Sequence, residues 1–426
     1  MNHIKIYLSL TILLHFFVAC FAQNDNKPQK FIYSQKVTSN FDPVRLARLD
    51  SVFQKLVDNG TIPQAVTFVA QHGKVVHFKS FGWRNVENKI PCQKDDYFRM
   101  ASQTKAITAV AVMTLFEEGK ICLDDPIKKY IPEFENPQVL VSFNENDSTF
   151  TTRPAKKDIS IRNLLTHTSG ISYGNSTTRK IYDKMGIPVS PLYSLENKKL
   201  GDVIKILAKC PLEHDPGEKF TYGMSLDVLG YLIEVVSGEP VDQYIKEKVL
   251  EPLGMKHTFF TLPNENINRL VTLYQKDKNT PLVPNPNQLY QTYPYAGAQT
   301  LLSTGAGMTG TIEDYARFCQ MILNGGEFNG KRILGRKTIE FMRRNQVKDL
   351  RGEIGFGLAF DDFRPEYIHE SIASEGSMRW GGMFGTDYVI DPKEDLILLF
   401  YINLQPNNTG QDFKVLFHNL VYQALK

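Results

Sequence analysis

Ser102 and Lys105 are the residues whose types and spacing are best suited to covalent chemistry. They lie three positions apart in "FRMASQTKAITAVAVMTLFEEGK", residues 98–120, where an apolar helical pattern begins. Positions i and i+3 share one face of a helix, so the two side chains are expected to be neighbours. A serine becomes a nucleophile when a base takes its proton, and a buried lysine can be that base because desolvation disfavours its charged form. Serine is also a common N-cap residue, so the pair alone is equally compatible with a structural role.

A second serine competes for the role of nucleophile. Ser172 lies in "GISYG", residues 170–174, which matches the Gly-x-Ser-x-Gly nucleophile elbow. That motif requires a strand before the serine and a helix after it. The preceding "IRNLLTHTS" has the leucine spacing of a helix, and the following "NSTTRK" has no apolar periodicity. The sequence therefore predicts that Ser172 is a loop residue.

The elements around the Ser102 helix indicate a mixed α/β fold. A helix is predicted from Asp42-Pro43 to Gly60, followed by a hairpin over residues 65–83, and a second hairpin and a final helix close the chain from about residue 386. Residues 124–297 contain helical patterns and long polar stretches but few strand signals. We predict a central antiparallel sheet built from both chain ends, about residues 41–123 and 298–426, with a helical part, about 124–297, inserted between them. A cleft between the two parts is the expected place for a site.

The composition excludes several classes of function. Of 426 residues, 42% are hydrophobic and 22% charged, which is typical of a globular protein. The net charge of +3 comes from 49 basic and 46 acidic residues spread along the chain, so nucleic acid is not an expected partner. No cluster of histidine, cysteine or carboxylate residues has zinc-binding spacing, and we expect neither a metal nor an organic cofactor.

The N-terminal residues 1–22 have the pattern of a signal peptide, which leaves residues 23–426 as one mature domain. A short apolar run ends at Phe21. Cleavage after Ala22 would release a soluble protein, whereas "FVAC" resembles a lipobox in which Cys20 is lipidated and anchors the chain to a membrane. Either route predicts an exported protein, periplasmic or secreted. Four other cysteines can pair in three ways or remain thiols: Cys92, Cys122, Cys210 and Cys319.

Two further segments give the serine and the lysine a context. Tyr222 lies in "FTYGMSLDVLGYLIE", just before a predicted helix, and "MRWGGMFGTDYVID" places Trp380, Gly381 and Gly382 at the start of a C-terminal strand. The order Ser-x-x-Lys, tyrosine and glycine-containing triplet resembles the serine β-lactamase and penicillin-binding-protein superfamily, in particular its class C β-lactamase-related esterases and D-peptidases. Segments such as "RPAKKDISIRNLLTHTSGIS", "LEPLGMKHTFF" and "GAGMTGTIEDYARFCQMILNGG" fit the same group, and the resemblance covers about residues 41–404.

The resemblance implies a β-lactamase-like fold and a role for each site residue. Ser102 would be the nucleophile that forms the acyl-enzyme, and Lys105 and Tyr222 would transfer protons to and from it. The backbone N–H groups of Ser102 and Met383 would form the oxyanion hole, beside a substrate-binding strand formed by Trp380, Gly381 and Gly382. His167, in "LTHTSG", belongs to the family pattern, and we expect it to hold a loop.

Two departures from the family pattern bear on the substrate. Class C β-lactamases have asparagine two residues after the tyrosine and Lys-Thr-Gly at the strand, where this chain has Met224 and the triplet that begins with Trp380. Both changes remove polar contacts to a β-lactam. We therefore predict an exported serine hydrolase that cleaves small esters, amides or peptides and is esterase-like. The alternatives are a β-lactamase, a D-amino-acid peptidase acting on cell-wall peptides, and, from another class, a non-catalytic binder of wall peptides.

Overall fold

The computed structural model describes residues 27–33, 40–147, 149–174, 176–188, 191–297, 299–352, 354–362 and 372–426. The predicted signal peptide and Cys20 lie outside these ranges. Within them, no helix combines the length and the apolarity that a membrane crossing requires. The four cysteines of the described ranges are free thiols, and only that of Cys122 is exposed.

A central sheet receives strands from both ends of the chain. Nine strands of the described residues belong to it, and neighbours pair antiparallel except for the parallel pair formed by its first edge strand. The order across the sheet is Ile32–Tyr33, Lys74–Asn85, Gln64–Gln71, Leu396–Tyr401, Asp387–Asp391, Met378–Gly381, Asp361–Asp362 and Gly355–Phe356, with Ile90–Pro91 paired to the second of these. The predicted sheet is confirmed, and both predicted hairpins are part of it.

The two middle strands are buried on both faces, which explains why both are mostly apolar rather than alternating between apolar and polar residues. Successive side chains of a strand point to opposite faces. Accordingly, Leu396, Leu398 and Phe400 pack in one core cluster, and Ile397 and Leu399 pack in the other. The sheet therefore separates two layers of helices.

One helical layer consists of the first and last helices, Pro43–Asp58 and Phe413–Tyr422. Asp42 caps the first helix by accepting from the N–H groups of Val44 and Arg45, and the first helical position is proline, as helix starts prefer. The predicted apolar stripe is buried against the sheet and consists of Leu46, Leu49, Phe53 and Leu56.

The opposite layer contains the helix that follows Ser102. This helix, Thr104–Glu117, is buried along almost its whole length within the larger core cluster, where it packs against the helices Ser225–Ser237 and Val241–Ile245. The Thr108 hydroxyl donates to the carbonyl of Thr304 at 2.7 Å, which attaches the helix to the loop that follows the inserted part. Such all-round burial explains why the sequence of this helix lacks a polar face.

The inserted part is mainly helical, as predicted, but it also contains strands. The hairpin Gln138–Phe143 and Phe150–Pro154 lies in the region with few strand signals. Most of the hairpin is exposed, so its sequence does not alternate between apolar and polar residues.

The other elements are short. The remaining α-helices are Ile161–Leu165, Ser176–Lys184, Leu200–Leu207, Val241–Ile245, Glu251–Leu253, Gln288–Ala296, Ile312–Leu323 and Arg336–Arg343. A π-helical turn spans Lys246–Leu250, and 3₁₀ turns span Ala101–Gln103, Ile127–Lys129, Pro132–Phe134 and Asn264–Arg269. Small sheets are formed by Phe98–Arg99, Thr258–Phe259 and Thr309–Gly310; by Tyr274–Asp277, Val283–Pro284 and Leu404–Asn408; and by Glu327–Phe328 with Lys331–Arg332.

Candidate active site

Ser102 lies in a tight turn between a strand and the buried helix. The strand Phe98–Arg99 leads into the 3₁₀ turn Ala101–Gln103, and the α-helix begins at Thr104. Ala101 has a φ of 46°, a left-handed conformation that is strained for a residue with a side chain and marks the abrupt change of direction. The amino nitrogen of Lys105 lies 3.3 Å from the hydroxyl oxygen of Ser102, so the predicted neighbours meet.

Hydrogen bonds from distant elements fix this turn. The hydroxyl of Thr386 donates to the carbonyl of Met100 at 3.1 Å. The hydroxyls of Tyr315 and Tyr401 donate to the backbone carbonyl and the side-chain oxygen of Gln103, at 3.0 and 2.6 Å. All of these groups are buried, so the nucleophile is attached to the sheet and to the helix Ile312–Leu323.

Lys105 is buried, with 1% of its surface exposed, and its ammonium group has three acceptors. Besides Ser102, it donates to the hydroxyl of Tyr173 at 2.8 Å and to the carbonyl of Gly305 at 2.7 Å. An ammonium group has three N–H donors, so these contacts satisfy it completely. Tyr173 was not predicted as a site residue, although it directly follows Ser172 in the quoted motif. Burial, and to a smaller extent the neighbouring Tyr222, raises the pKa of Tyr173 well above its usual value.

Tyr222 completes the group around the lysine. The amino nitrogen of Lys105 lies 4.6 Å from the centre of the Tyr222 ring, and the indole N–H of Trp380 donates to the Tyr222 hydroxyl at 3.3 Å. The rings of Tyr173 and Tyr222 are 5.5 Å apart, edge to face. The structure thus brings the predicted Ser102, Lys105 and Tyr222 together and adds a second tyrosine.

His167 holds the loop that carries Tyr222, in line with its predicted structural role. Its carbonyl accepts from the N–H of Thr221 at 2.7 Å, and its Nδ1 accepts from the N–H of Gly223 at 3.4 Å, so both neighbours of Tyr222 are attached to one residue. The imidazole lies 4.6 Å from the Tyr222 ring. Burial, aided by the positive charge of Lys105, lowers the pKa of His167 well below its usual value, so the ring is neutral.

The glycine triplet lies against the nucleophile segment. A Cβ on Gly382 would lie 2.2 Å from the carbonyl oxygen of Met100, and one on Gly381 would lie 2.7 Å from that of Thr386. Close approach of two backbones therefore requires both glycines. The N–H of Met383, predicted to face the oxyanion, has no hydrogen-bond partner among the described residues.

A cavity of about 430 Å³ joins these elements. Ser102 and Tyr222 line it together with the predicted strand residues Trp380, Gly381, Gly382 and Met383, while Lys105 lies beneath. Its remaining lining comes from the C-terminal part: Asp361, Arg379, Asp387, Asp412, Lys414, Val415 and His418. Met224 is fully buried in the core and does not line the cavity.

Ser172 is placed differently from Ser102. A helix, Ile161–Leu165, precedes it where an elbow would need a strand, and its hydroxyl accepts from the N–H of Gly174 at 2.9 Å. Contrary to the sequence prediction, a helix does follow, at Ser176–Lys184, and its few buried residues include Ile181 and Tyr182. The elbow interpretation still fails, because the strand is missing.

Asp227 is a buried carboxyl behind Lys105 that the sequence did not reveal. One oxygen accepts from the hydroxyl of Ser303 at 2.9 Å and from the N–H of Gly305 at 3.0 Å. The other oxygen has no partner among the described residues. Burial raises the pKa of Asp227 to about 6, against the attraction of Lys105, which lowers it.

This pKa predicts how the Asp227→Asn variant responds to pH. Because the folded-state pKa lies above the ordinary 3.8, the stabilisation from the bound proton is complete below pH 3.8 and is lost as the pH rises through about 6. Asparagine cannot lose that proton. The variant is therefore expected to gain stability relative to the wild type between about pH 4 and pH 8, by up to roughly 3 kcal/mol, in urea unfolding. A difference that stays constant with pH would contradict the assignment.

The central sheet is built from both chain ends, and a serine and a buried lysine lie at the start of a core helix. This is the arrangement of β-lactamase-fold serine hydrolases. A family model described as Beta-lactamase matches residues 49–422. The chain belongs to this family, and its predicted membership is confirmed.

Known relatives agree with this membership. Protein Rv1367c of Mycobacterium tuberculosis (strain ATCC 25618 / H37Rv) is 32% identical over 375 residues, 83% of this chain and 89% of that protein. Esterase EstB of Burkholderia gladioli is 28% identical over 398 residues, 88% of this chain and 95% of that protein. Among solved structures, EstCE1, a hydrolase with promiscuous acyltransferase activity, has a TM-score of 0.73 at 26% identity and covers 89% of this chain and 99% of its own.

Proposed function

We propose that this protein is an esterase-like serine hydrolase that forms an acyl-enzyme on Ser102. The observation that carries the proposal is the contact of 3.3 Å between the Ser102 hydroxyl and the Lys105 amino group, beneath the ring of Tyr222 and at the edge of a cavity. We further propose that the protein acts after export, because residues 1–22 have the pattern of a signal peptide.

Each group has a place in the proposed reaction. The pair of Lys105 and Tyr222 takes the Ser102 proton as the serine attacks the carbonyl carbon, and it returns a proton to the departing alcohol. A tyrosine can be the base only if its phenolate is stabilised. The ammonium group of Lys105 against its ring and the indole N–H of Trp380 at its oxygen supply that stabilisation.

The same site would stabilise the oxyanion and carry out the second half-reaction, the hydrolysis of the acyl-enzyme. The N–H groups of Ser102 and Met383 stabilise the negative oxygen of the tetrahedral intermediate. Met383 suits this role because its N–H has no other partner in the described part of the chain. Water then attacks the acyl-enzyme, the Lys105–Tyr222 pair takes its proton, and Ser102 leaves with a proton.

The lining of the cavity favours a small neutral ester over a β-lactam. The indole N–H of Trp380 is already bonded to Tyr222 and cannot also serve a substrate carboxylate. Three carboxylates line the cavity, Asp361, Asp387 and Asp412, against two lysine or arginine side chains. A relative named as an esterase and a structural neighbour named as a hydrolase support the same choice.

A panel of substrates tests the proposal. We expect purified protein to hydrolyse p-nitrophenyl acetate or butyrate clearly. Penicillins, a chromogenic cephalosporin and D-alanyl peptides should react weakly, because an unpaired buried polar group costs about 1–3 kcal/mol, and two such groups reduce the rate by roughly a hundredfold or more. The control is Ser102→Ala, which should lose the activity on esters.

The alternatives are outcomes of the same panel. Efficient cephalosporin turnover with poor ester turnover would identify a β-lactamase, and preference for D-alanyl peptides would identify a peptidase. A protein that binds wall peptides but reacts with no ester and no covalent serine probe would be the non-catalytic binder.

A further inference from the structure

Asp227 lies closer to the catalytic lysine than its position in the sequence suggests. It belongs to the helix Ser225–Ser237, is fully buried, and faces the loop that contains Ser303 and Gly305. That loop is held by two hydrogen bonds to one carboxylate oxygen, at 2.9 and 3.0 Å. The second oxygen is buried and has no partner among the described residues.

Gly305 connects the carboxylate to Lys105 through a single residue. Its N–H donates to Asp227, and its carbonyl accepts from the Lys105 amino group at 2.7 Å. A Cβ on Gly305 would lie 2.6 Å from the unpartnered oxygen of Asp227, so only glycine allows this contact. No carboxylate of the described residues forms a direct ion pair with Lys105. The negative charge of Asp227 therefore acts on Lys105 across the peptide groups of Gly305, without direct contact.

Apart from Tyr222, the partner of Lys105 in the proposed proton transfer, the other groups near Lys105 do not supply a negative charge. Tyr173 stays a phenol because burial raises its pKa, and His167 is neutral because burial lowers its pKa. The nearby cation Arg351 is paired with Asp361. On the other helices packed against the helix of Asp227, Arg162 pairs with Asp124 and Lys205 with Glu133. The carboxylates of Asp202 and Asp242 on these helices are exposed to solvent.

We propose that Asp227 is a positioning residue for the reaction: through the peptide of Gly305 it holds Lys105 in place and keeps it protonated beneath Ser102 and Tyr222. This inference rests on the proposed function, since it assigns the carboxylate a task within the same site. A buried negative charge favours bound protons nearby. Removing it should move the pH profile of the reaction to lower pH.

The test compares Asp227→Asn with a matched control. Asp314→Asn also removes a buried carboxyl whose pKa is raised to about 6, but Asp314 is bonded to His257 and Thr258, away from Lys105. The measurement is the rate at which a fluorophosphonate probe labels Ser102 from about pH 5 to pH 10, together with kcat/KM for p-nitrophenyl butyrate.

We expect the labelling profile of Asp227→Asn to move to lower pH, by on the order of one unit on the alkaline limb, where Asp227 is charged, as a charge at an effective dielectric constant of about 20 implies. The acid limb should move less, because the wild-type carboxyl, whose pKa is about 6, is partly protonated there. The profile of Asp314→Asn should coincide with that of the wild type. Coincidence of all three profiles, or equal displacement of both variants, would overturn the proposal.

Ser303→Ala provides a second variant should Asp227→Asn fail to fold. It keeps the carboxylate and removes one of its hydrogen bonds, which makes Asp227 easier to protonate. The acid limb is expected to move to lower pH while the alkaline limb, where Asp227 is charged, stays in place; an unchanged acid limb would count against the proposal.

Labelling requires no substrate, so the two proposals fail separately. A displaced labelling profile without ester turnover would retain the role of Asp227 and reject the substrate class. A wild-type protein that the probe does not label would reject both.

Discussion

Replacement of Ser102 by alanine is expected to reduce ester turnover by roughly 10⁴-fold or more and to abolish labelling by a fluorophosphonate probe. The variant has no nucleophile, and what remains is binding and the oxyanion hole. Lys105 would keep two acceptors, the hydroxyl of Tyr173 and the carbonyl of Gly305, so the fold should survive. The measurement is kcat with p-nitrophenyl butyrate, with mass spectrometry of the labelled peptide in the wild type.

Ser172→Ala is the matched control for this prediction. Its hydroxyl accepts from the N–H of Gly174, so its loss should cost about 1 kcal/mol of stability and leave most of the turnover. Labelling at Ser172 rather than Ser102 would show that the nucleophile is wrongly assigned.

Tyr222→Phe is expected to lower kcat/KM on the order of a hundredfold. The substitution keeps the ring that packs on Lys105 and removes only the hydroxyl, and with it the group that transfers the proton. Circular dichroism should show an unchanged fold, because the bonds that His167 makes to Thr221 and Gly223 do not involve that hydroxyl.

Tyr173→Phe separates the roles of the two tyrosines. The Tyr173 hydroxyl accepts from Lys105, and its pKa is held well above the usual value, so it serves as a neutral partner rather than as a base. We expect a loss clearly smaller than that of Tyr222→Phe. If Tyr173→Phe were the more damaging change, the proton transfer would belong to Tyr173, and full activity of Tyr222→Phe would remove Tyr222 from the mechanism.

The parts of the fold that the sequence predicted are those in which burial imposes a period. Alternate residues of Leu396–Tyr401 meet different helical layers, and the stripe of the first helix recurs at helical spacing. The hairpin Gln138–Phe143 with Phe150–Pro154 has no such period because it is mostly exposed. The helix Ser176–Lys184 was missed because few of its residues are apolar.

The residues of the site also differ in whether the sequence could predict them. Ser102 and Lys105 are close in sequence, and their meeting required only the spacing of one turn. Asp227 and Gly305 are 78 residues apart, and no local pattern joins them. Tyr173 lies in a segment that drew attention to its neighbouring serine, and only the distance to Lys105 identifies it.

Because the central sheet contains strands from both ends of the chain, the site can be completed only when the C-terminal strands have been synthesised. The turn with Ser102 is bonded to Thr386 and Tyr401, residues that leave the ribosome nearly 300 positions later. Until then the strand Gln64–Gln71 has its partner on only one side, and the N–H of Met383 does not yet exist. Such distant contacts form late in folding. A chain shortened before residue 378 would therefore lack all activity rather than retain a fraction of it, and nascent chains would carry no active hydrolase.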